Sequence, residues 1–495
     1  MAEAAEAMFS FDNSYARLPD RMFAGVSPDR APAPRLLAFN RALAEDLALD
    51  PARLAGEEGL RVLSGARLPA GAEPIATAYA GHQFGNWVPQ LGDGRALLLG
   101  EVLDRAGQRR DIQLKGAGRT PFSRMGDGKA PLGPVLREYL VSEAMAALGV
   151  PTTRALAAVA TGEDVVRETV HAGAVLTRVA ASHVRIGTFQ YFYVRQDREA
   201  LEALTNHVIA RHYPHAAAAP VPALALLEAV MACQADLVAR WMGIGFIHGV
   251  MNTDNMAVSG ETIDYGPCAF MDAYRDAQVF SSIDAGGRYA YGNQPHIAHW
   301  NLAQLAQALL PLIAEAEEEA VKTAQAAIGR FPDLFKAAWL DQMRPKLGLT
   351  RGAQDDADLI AALLTVMEAG GADFTLTFRG LADLVAPEAD GQAARALFTD
   401  PEGFDAWLAR WRARLAEEPM PTTARAAQMR RANPLFIPRN HRVEEALAAA
   451  EDGNLAPFKR LGRTLARPFE AQPGAEDLAQ PPGIGQSVTR TFCGT

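Results

Sequence analysis

IGFIHGVMNTDNMAVSGETIDYGP, residues 244–267, decides how the rest of the chain is read. A short apolar run, Ile244, Phe246 and Ile247, leads into a polar loop carrying His248, Asp254 and Asn255. Met256 and Val258 then alternate towards a turn at Gly260, and Ile263 precedes Asp264-Tyr265-Gly266. The pattern predicts a catalytic loop, a short hairpin, and then a metal-holding Asp before a Gly.

Protein kinases place a His, an Asn seven positions later, and an Asp-Phe-Gly that shares Mg²⁺ with that Asn. Here His248 and Asn255 are also seven apart, and Asp264 follows nine positions after Asn255. One part differs. The kinase catalytic Asp stands two residues after the His, where this chain has Val250, and an Asp appears instead at 254. The stretch suits a nucleotide and a metal, without the usual base for ordinary phosphoryl transfer. His248 reads as a structural loop residue.

Outward from this stretch, GHQFGNWVPQLGDGR (81–95) is Gly-rich and runs into the apolar ALLLGEVL. The turn DRAGQ and the alternating RRDIQLK follow. This predicts a β-hairpin whose second strand ends at Lys115. A Gly loop opening a hairpin exposes backbone N–H groups to phosphate, though Gly-Asp-Gly alone also reads as a plain turn. A second Gly-rich basic loop, GAGRTPFSRMGDGKAP, ends at Pro131. Leu132, Leu136, Leu140, Ala144 and Leu148 then recur every four residues and predict a helix over about 131–149, stopped by Gly149. Glu138 and Glu143 lie off that stripe; either could pair with Lys115 or face solvent, and Glu138 is the choice made here. Residues 151–195 alternate as strands would (ALAAVA, AVLTRVA, FQYFYV) and contain Arg178 and Arg185, seven apart. Arg forks suit phosphate, but they equally form surface ion pairs.

From 196 onward the chain reads as helical, with a buried helix in PALALLEAVMACQADLVARWMGIG (222–245) and further helices expected at about 301–325, 331–347, 355–370, 402–417 and 442–451. Stretch 467–486 reads as a loop or mobile tail. At 495 residues the chain exceeds one ordinary core. Net charge −10 argues against a nucleic-acid or anionic-membrane surface. No apolar run approaches the ~20 residues of a membrane span, and no signal peptide is read. Three cysteines fit a reducing compartment, and a cytoplasmic location is expected.

Five blocks resemble one family, selenoprotein O, a kinase-like family labelled pseudokinase. They are YAGHQFGNWVPQLGDGRALLLGE, DIQLKGAGRTPFSRMGDGKAPLGPVLREYLVSEAM, the 248–266 stretch, GRYAYGNQPHIAHWNL and MRRANPLFIPRNHRVEEAL. In order, they span about 80 to 450. The resemblance implies an α+β, protein-kinase-like bilobal fold with a β-rich N-lobe, a helical C-lobe and extensions at both ends. The divisions expected are an N-terminal extension (1–85), the N-lobe (86–195), a helical C-lobe with extra helices (196–465) and a tail (466–495) carrying Cys493.

The activity implied is protein AMPylation: AMP passes from ATP, bound in a flipped orientation, to Ser, Thr or Tyr hydroxyls of other proteins, with release of pyrophosphate. By the same resemblance, Lys115 and Glu138 form the ion pair, and Gly92, Gly94 and Arg95 line the nucleotide. Asp127 and Gly128 contact it from the second loop, and Arg178 and Arg185 hold terminal phosphates. Asn255 and Asp264 hold Mg²⁺ or Mn²⁺, with Asp264 also on the nucleotide, and Asp254 is the general base. On the residues alone, Asp254 could also be a metal ligand or a loop cap. Cys493 stands third from the end, at the family's selenocysteine position, and a Cys268–Cys493 redox pair is a further hypothesis. Expected partners are ATP and acceptor proteins, with no nucleic acid or membrane, and the chain is expected to be a monomer. Alternatives on the same residues are a conventional kinase, a Mn²⁺-dependent uridylyltransferase and a nucleotide-binding scaffold.

Overall fold

A computed structural model describes residues 7–492 except 387, 388 and 390. Its first half is built on an eight-stranded sheet. The order across it is Phe23–Gly25, Ile75–Thr77, Ala96–Leu103, Arg109–Lys115, Val170–Ala180, Arg154–Val166 and Arg35–Phe39, with Ala130–Pro131 pairing onto the fifth. The hairpin expected to carry Lys115 is present, with Leu97 opposite Leu114 and Ala96 opposite Lys115. On its other side the Lys115 strand pairs antiparallel with Val170–Ala180, so Lys115 and Arg178 sit on adjacent strands.

Apolar alternation gives this sheet two buried faces. Leu97, Leu99, Leu114 and Val159 pack with Leu43, Leu54 and Leu63 from short helices of the first 85 residues. Those residues also supply three of the sheet's strands. The opposite face, including Leu176 and Ala158, packs under the helix Leu132–Ala147 through Leu132, Leu136, Leu140 and Ala144. Helices Asn440–Glu451 and Ala456–Leu465 close over that helix with Val443, Leu447, Phe458 and Leu461. Being covered on two sides, it buries far more than its four-residue stripe, including Glu138.

The second half is helical. Its core gathers Leu226, Leu227, Val230, Met231, Leu237, Val238 and Trp241 of the helix Pro222–Gly243. That 22-residue helix matches a membrane span in length and composition, which the sequence expectation did not allow for; these side chains are instead packed in the core. FQYFYV was expected as a strand and is instead in the helix Ile186–Val194, where Ile186, Phe189 and Phe192 are buried at helical spacing. The helix expected over 301–325 is two, Gln294–Ile313 and Glu317–Ile328. Within 467–486 a short helix, Glu476–Ala479, buries Leu478 and Ala479 against the helices after 440.

Candidate active site

The cleft where the sheet meets the helical half encloses about 780 Å³, a volume typical of small-molecule sites. The loop leading into the strand Ala96–Leu103 contributes Gly92, Gly94 and Arg95, the strands contribute Lys115 and Arg178, and the second Gly-rich loop contributes Asp127 and Gly128. Arg185 precedes the helix Ile186–Val194, and Asp254, Asn255 and Asp264 come from the quoted stretch. Glu138 lies behind this wall and lines a small pocket with Arg95, Lys115 and Asp264.

Glu138 is the centre of the charge arrangement. Its Oε2 accepts from Lys115 Nζ at 2.6 Å, and its Oε1 accepts from Arg178 Nε at 2.7 Å. Burial alone would raise the Glu138 carboxyl, but Arg178 and Lys115 hold it below its ordinary value. Glu143 instead pairs with Arg154 at 2.7 Å and accepts from Asn40. Lys115 Nζ is also 3.5 Å from Asp264 Oδ1. Burial opposes ionisation of Asp264, yet Lys115, Arg95 and Arg178 keep its carboxyl well below the usual range. Asp264 has a left-handed backbone (φ 68°), a sparsely populated conformation for a non-glycine residue and a local store of strain.

The loop 248–255 is held by side-chain to backbone bonds. His248 Nε2 lies 3.0 Å from Ile263 O, and Val250 N–H donates to His248 Nδ1 at 3.3 Å. One ring nitrogen therefore accepts while the other donates, which fixes a neutral, structural imidazole. Asn255 Nδ2 donates to Val250 O at 3.0 Å, which leaves its Oδ1 for a cation. Asp254 is 5 % exposed; its Oδ2 accepts from Gln83 at 3.3 Å, while its buried Oδ1 has no partner. Burial pushes its carboxyl up to about 6, against the pull of Arg185.

Arg185 donates to Asp254 O at 2.9 Å, lies 4.4 Å over the Tyr79 ring and sits 3.6 Å from Asp93 Oδ1. Asp93, the middle of Gly-Asp-Gly, is buried and accepts from Thr77 Oγ1 at 2.6 Å. A Cβ at Gly92 or Gly94 would run into Phe122 of the second loop, so these glycines let the two loops pack together. Asp127 is braced by Arg167 at 2.8 and 2.9 Å and caps Lys129 N.

A divalent cation fits this donor set. Asn255 Oδ1 and the ionised Asp264 are hard oxygen donors. Among the described residues no group of three or more His, Cys, Asp or Glu forms a self-sufficient metal cage. Mg²⁺ sites commonly use one or two carboxylates and take their remaining ligands from substrate phosphates and water.

The residues that sequence reasoning did not assign are in the hairpin Gly81–Gln83 and Asn86–Val88. His82 N–H donates to Thr253 Oγ1 at 2.7 Å, and Phe84 N–H donates to Asn252 Oδ1 at 3.0 Å. By sequence, 81–95 is Gly-rich and 81–88 carries no further reading, and nothing in the spacing points to a partner some 170 residues on. Cys268 is buried, its thiol pushed up to about 11 by burial. Cys493 lies outside the described residues. The tail just before it is docked: Thr491 N–H donates to Phe280 O at 2.8 Å, and its hydroxyl donates to Pro267 O, next to Cys268.

The family model described as Protein adenylyltransferase SelO matches residues 6–466. A Methylorubrum populi protein described as protein nucleotidyltransferase YdiU is 62 % identical, over 99 % of this chain and 100 % of its own length. Proteins of the same description from Rhodopseudomonas palustris (strain BisB5) and Bradyrhizobium diazoefficiens are 61 % and 60 % identical, each over 98 % of this chain and 99 % of their own length. The class these matches define is nucleotidyltransferase. The chain belongs to the protein adenylyltransferase SelO family.

Proposed function

We propose that this nucleotidyltransferase moves AMP from ATP to Ser, Thr or Tyr hydroxyls of proteins, in a kinase-like fold that binds ATP with its terminal phosphates against Lys115, Arg178 and Arg185. The observation that carries the reading is Asp254, a buried carboxylate with one unpartnered oxygen and a pKa near neutrality. It shares the cleft with those cations, while apolar Val250 occupies the kinase base position. A base poised near working pH is what proton abstraction from a hydroxyl requires.

In the reaction, the acceptor oxygen attacks the α-phosphorus, its proton passes to the Asp254 carboxylate, and the α–β bridging P–O bond breaks to release pyrophosphate. Lys115, Arg178 and Arg185 offset the charge that grows on the leaving group. Asn255 and Asp264 would hold Mg²⁺ or Mn²⁺, which would neutralise phosphate charge. Glu138 positions Lys115 and Arg178. Gly92, Gly94, Arg95, Asp127 and Gly128 form the wall around the nucleotide. The reading further takes the protein to be a cytoplasmic monomer with no nucleic-acid or membrane partner.

The test is intact mass of the protein and of candidate acceptors after incubation with ATP and Mg²⁺ or Mn²⁺, with Asp264→Ala as control. Addition of one AMP that the control lacks supports the reading. Addition of phosphate alone makes the chain a conventional kinase, and UMP added from UTP in preference to AMP from ATP makes it a uridylyltransferase.

A further inference from the structure

Asp254 can act only on a hydroxyl delivered to it, so the surface beside the cleft mouth bears on acceptor choice. Hairpin 81–88 and segment 283–289 build that surface. Gly85, Asn86 and Trp87 are exposed at the hairpin tip. The Trp87 ring lies 4.9 Å from His82, and His82 meets Trp300 edge-on at 5.1 Å. The Arg288 guanidinium lies 4.8 Å over the Trp300 ring. It also lies against the Gly85 backbone, where an added Cβ would be 3.5 Å from its Cζ. Ile283, 56 % exposed, continues the apolar surface into the cleft.

Arg288 is the distinctive member. Among the described residues no carboxylate oxygen lies within 4.0 Å of its guanidinium nitrogens; the neighbouring Asp284 carboxylate accepts instead from the Arg288 and Tyr289 backbone N–H groups at 2.9 and 2.8 Å, whereas Arg167, Arg178 and Arg185 of the cleft wall each have an acidic side-chain partner. Its buried Nε has no hydrogen-bond partner. A half-buried guanidinium on an aromatic face without a counter-charge is a ready receptor for a carboxylate.

This surface is tied to the base. The Phe84 ring lies 5.0 Å from Tyr289, and Tyr289 OH donates to Asn252 Oδ1 at 2.6 Å, the atom that also accepts from Phe84 N–H. Gln83 in turn donates to Asp254. A segment seated on Trp87, Trp300 and Arg288 is thus registered against Asp254 through the same hairpin.

We infer that this aromatic and Arg288 platform docks the acceptor chain and selects hydroxyls flanked by an acidic side chain and an apolar or aromatic one. The inference rests on the reading of AMP transfer with Asp254 as base. The carboxylate pairs with Arg288, the apolar group covers Trp87 or Trp300, and the hydroxyl falls at Asp254.

The test uses the full chain with ATP, Mg²⁺ and matched peptides that present one Ser with Glu or Lys at flanking positions. The expected result is a preference of about tenfold in kcat/KM for the acidic peptides, the scale of one charge-assisted hydrogen bond. The preference is lost in Arg288→Ala and inverted in Arg288→Glu, while the thermal shift on adding Mg²⁺ and ATP stays as in the parent. Equal rates for acidic and basic peptides, or a preference unchanged in Arg288→Glu, overturns the platform. So does a failure to modify any peptide while proteins still gain AMP in an Asp264-dependent way. Absence of AMP from every acceptor removes the underlying reading as well, and the intact-mass assay registers that outcome separately.

Discussion

Gly81→Ala isolates the positioning of Asp254 from nucleotide binding. Gly81 is buried where the hairpin crosses the loop 252–255, and a methyl carbon there would collide first with Oδ1 of Asp254 and fall 2.9 Å from its Cβ and Cγ. Ordinary contact begins near 3.4 Å, so the loop must retreat by at least half an ångström. His82 N–H on Thr253 and Phe84 N–H on Asn252 resist that retreat, so the shift is shared between hairpin and base. Overpacking of this kind costs about 1–3 kcal/mol of stability. A displacement approaching 1 Å at a reacting group costs on the order of 100-fold in rate. Gly81 does not line the nucleotide cleft, so ATP affinity should stay close to that of the parent. Single-turnover AMP transfer should therefore fall about 100-fold, with the calorimetric Kd for ATP changed by less than about threefold. A rate within threefold of the parent would refute the claim that the hairpin seats the base. A parallel loss of ATP binding would show that the hairpin instead supports the whole cleft.

Three further outcomes follow from the same geometry. Glu138→Gln leaves Arg178 buried without its anion and Lys115 with only the 3.5 Å contact to Asp264, a loss of about 3–5 kcal/mol in denaturant unfolding; a change below about 1 kcal/mol would mean that Asp264 is anion enough for both cations. Asp254 must be ionised to accept a proton, so transfer should rise with pH through about 6 and level above it; an acid limb that survives in the residual activity of Asp254→Asn belongs to another group. Because Thr491 docks beside Pro267, peptide mapping of oxidised protein under non-reducing digestion should recover a Cys268–Cys493 linked pair; a map with both thiols free removes the redox hypothesis.

The parts of the site legible in the sequence are those fixed by local spacing. His248, Asn255 and Asp264 belong to one loop-turn-loop unit, and Lys115 ends a hairpin whose alternation and turn are both local. The choice between Glu138 and Glu143 was not local. An amphipathic stripe separates core from solvent only when one helix face is covered, and here the sheet covers one side while the helices after residue 440 cover the other. FQYFYV misled because aromatic residues favour strands; the contrary signal was the three-residue spacing of Ile186, Phe189 and Phe192, reinforced where Thr188 Oγ1 accepts from Arg185 N–H at the helix start. The hairpin at 81–88 could be recognised as a motif but not interpreted, because its partners are the side chains of residues 252–254.

Glu138 shows how such a site reconciles stability with turnover. The two cations proposed to meet polyphosphate would repel each other across adjacent strands, and burial would make that repulsion strong. One carboxylate with an oxygen on each removes the repulsion in the protein itself. It also fixes Lys115 and Arg178 in place, so little reorganisation remains when phosphate charge develops. Arg185 is stabilised differently, by the Asp254 carbonyl, the Tyr79 ring and a longer contact to Asp93. It is therefore the cation less fully neutralised by protein, and it is bonded directly to the residue that carries the base. Charge arriving on Arg185 from a leaving pyrophosphate would weaken its hold on the Asp254 carboxylate's ionised form, favouring proton uptake as the P–O bond breaks. Arg185→Lys keeps the charge but loses the planar guanidinium that bonds the Asp254 carbonyl through Nη1 while stacking on the Tyr79 ring. It should therefore lower the maximal rate of transfer more than it weakens ATP binding; a variant that loses only ATP affinity would confine Arg185 to phosphate binding.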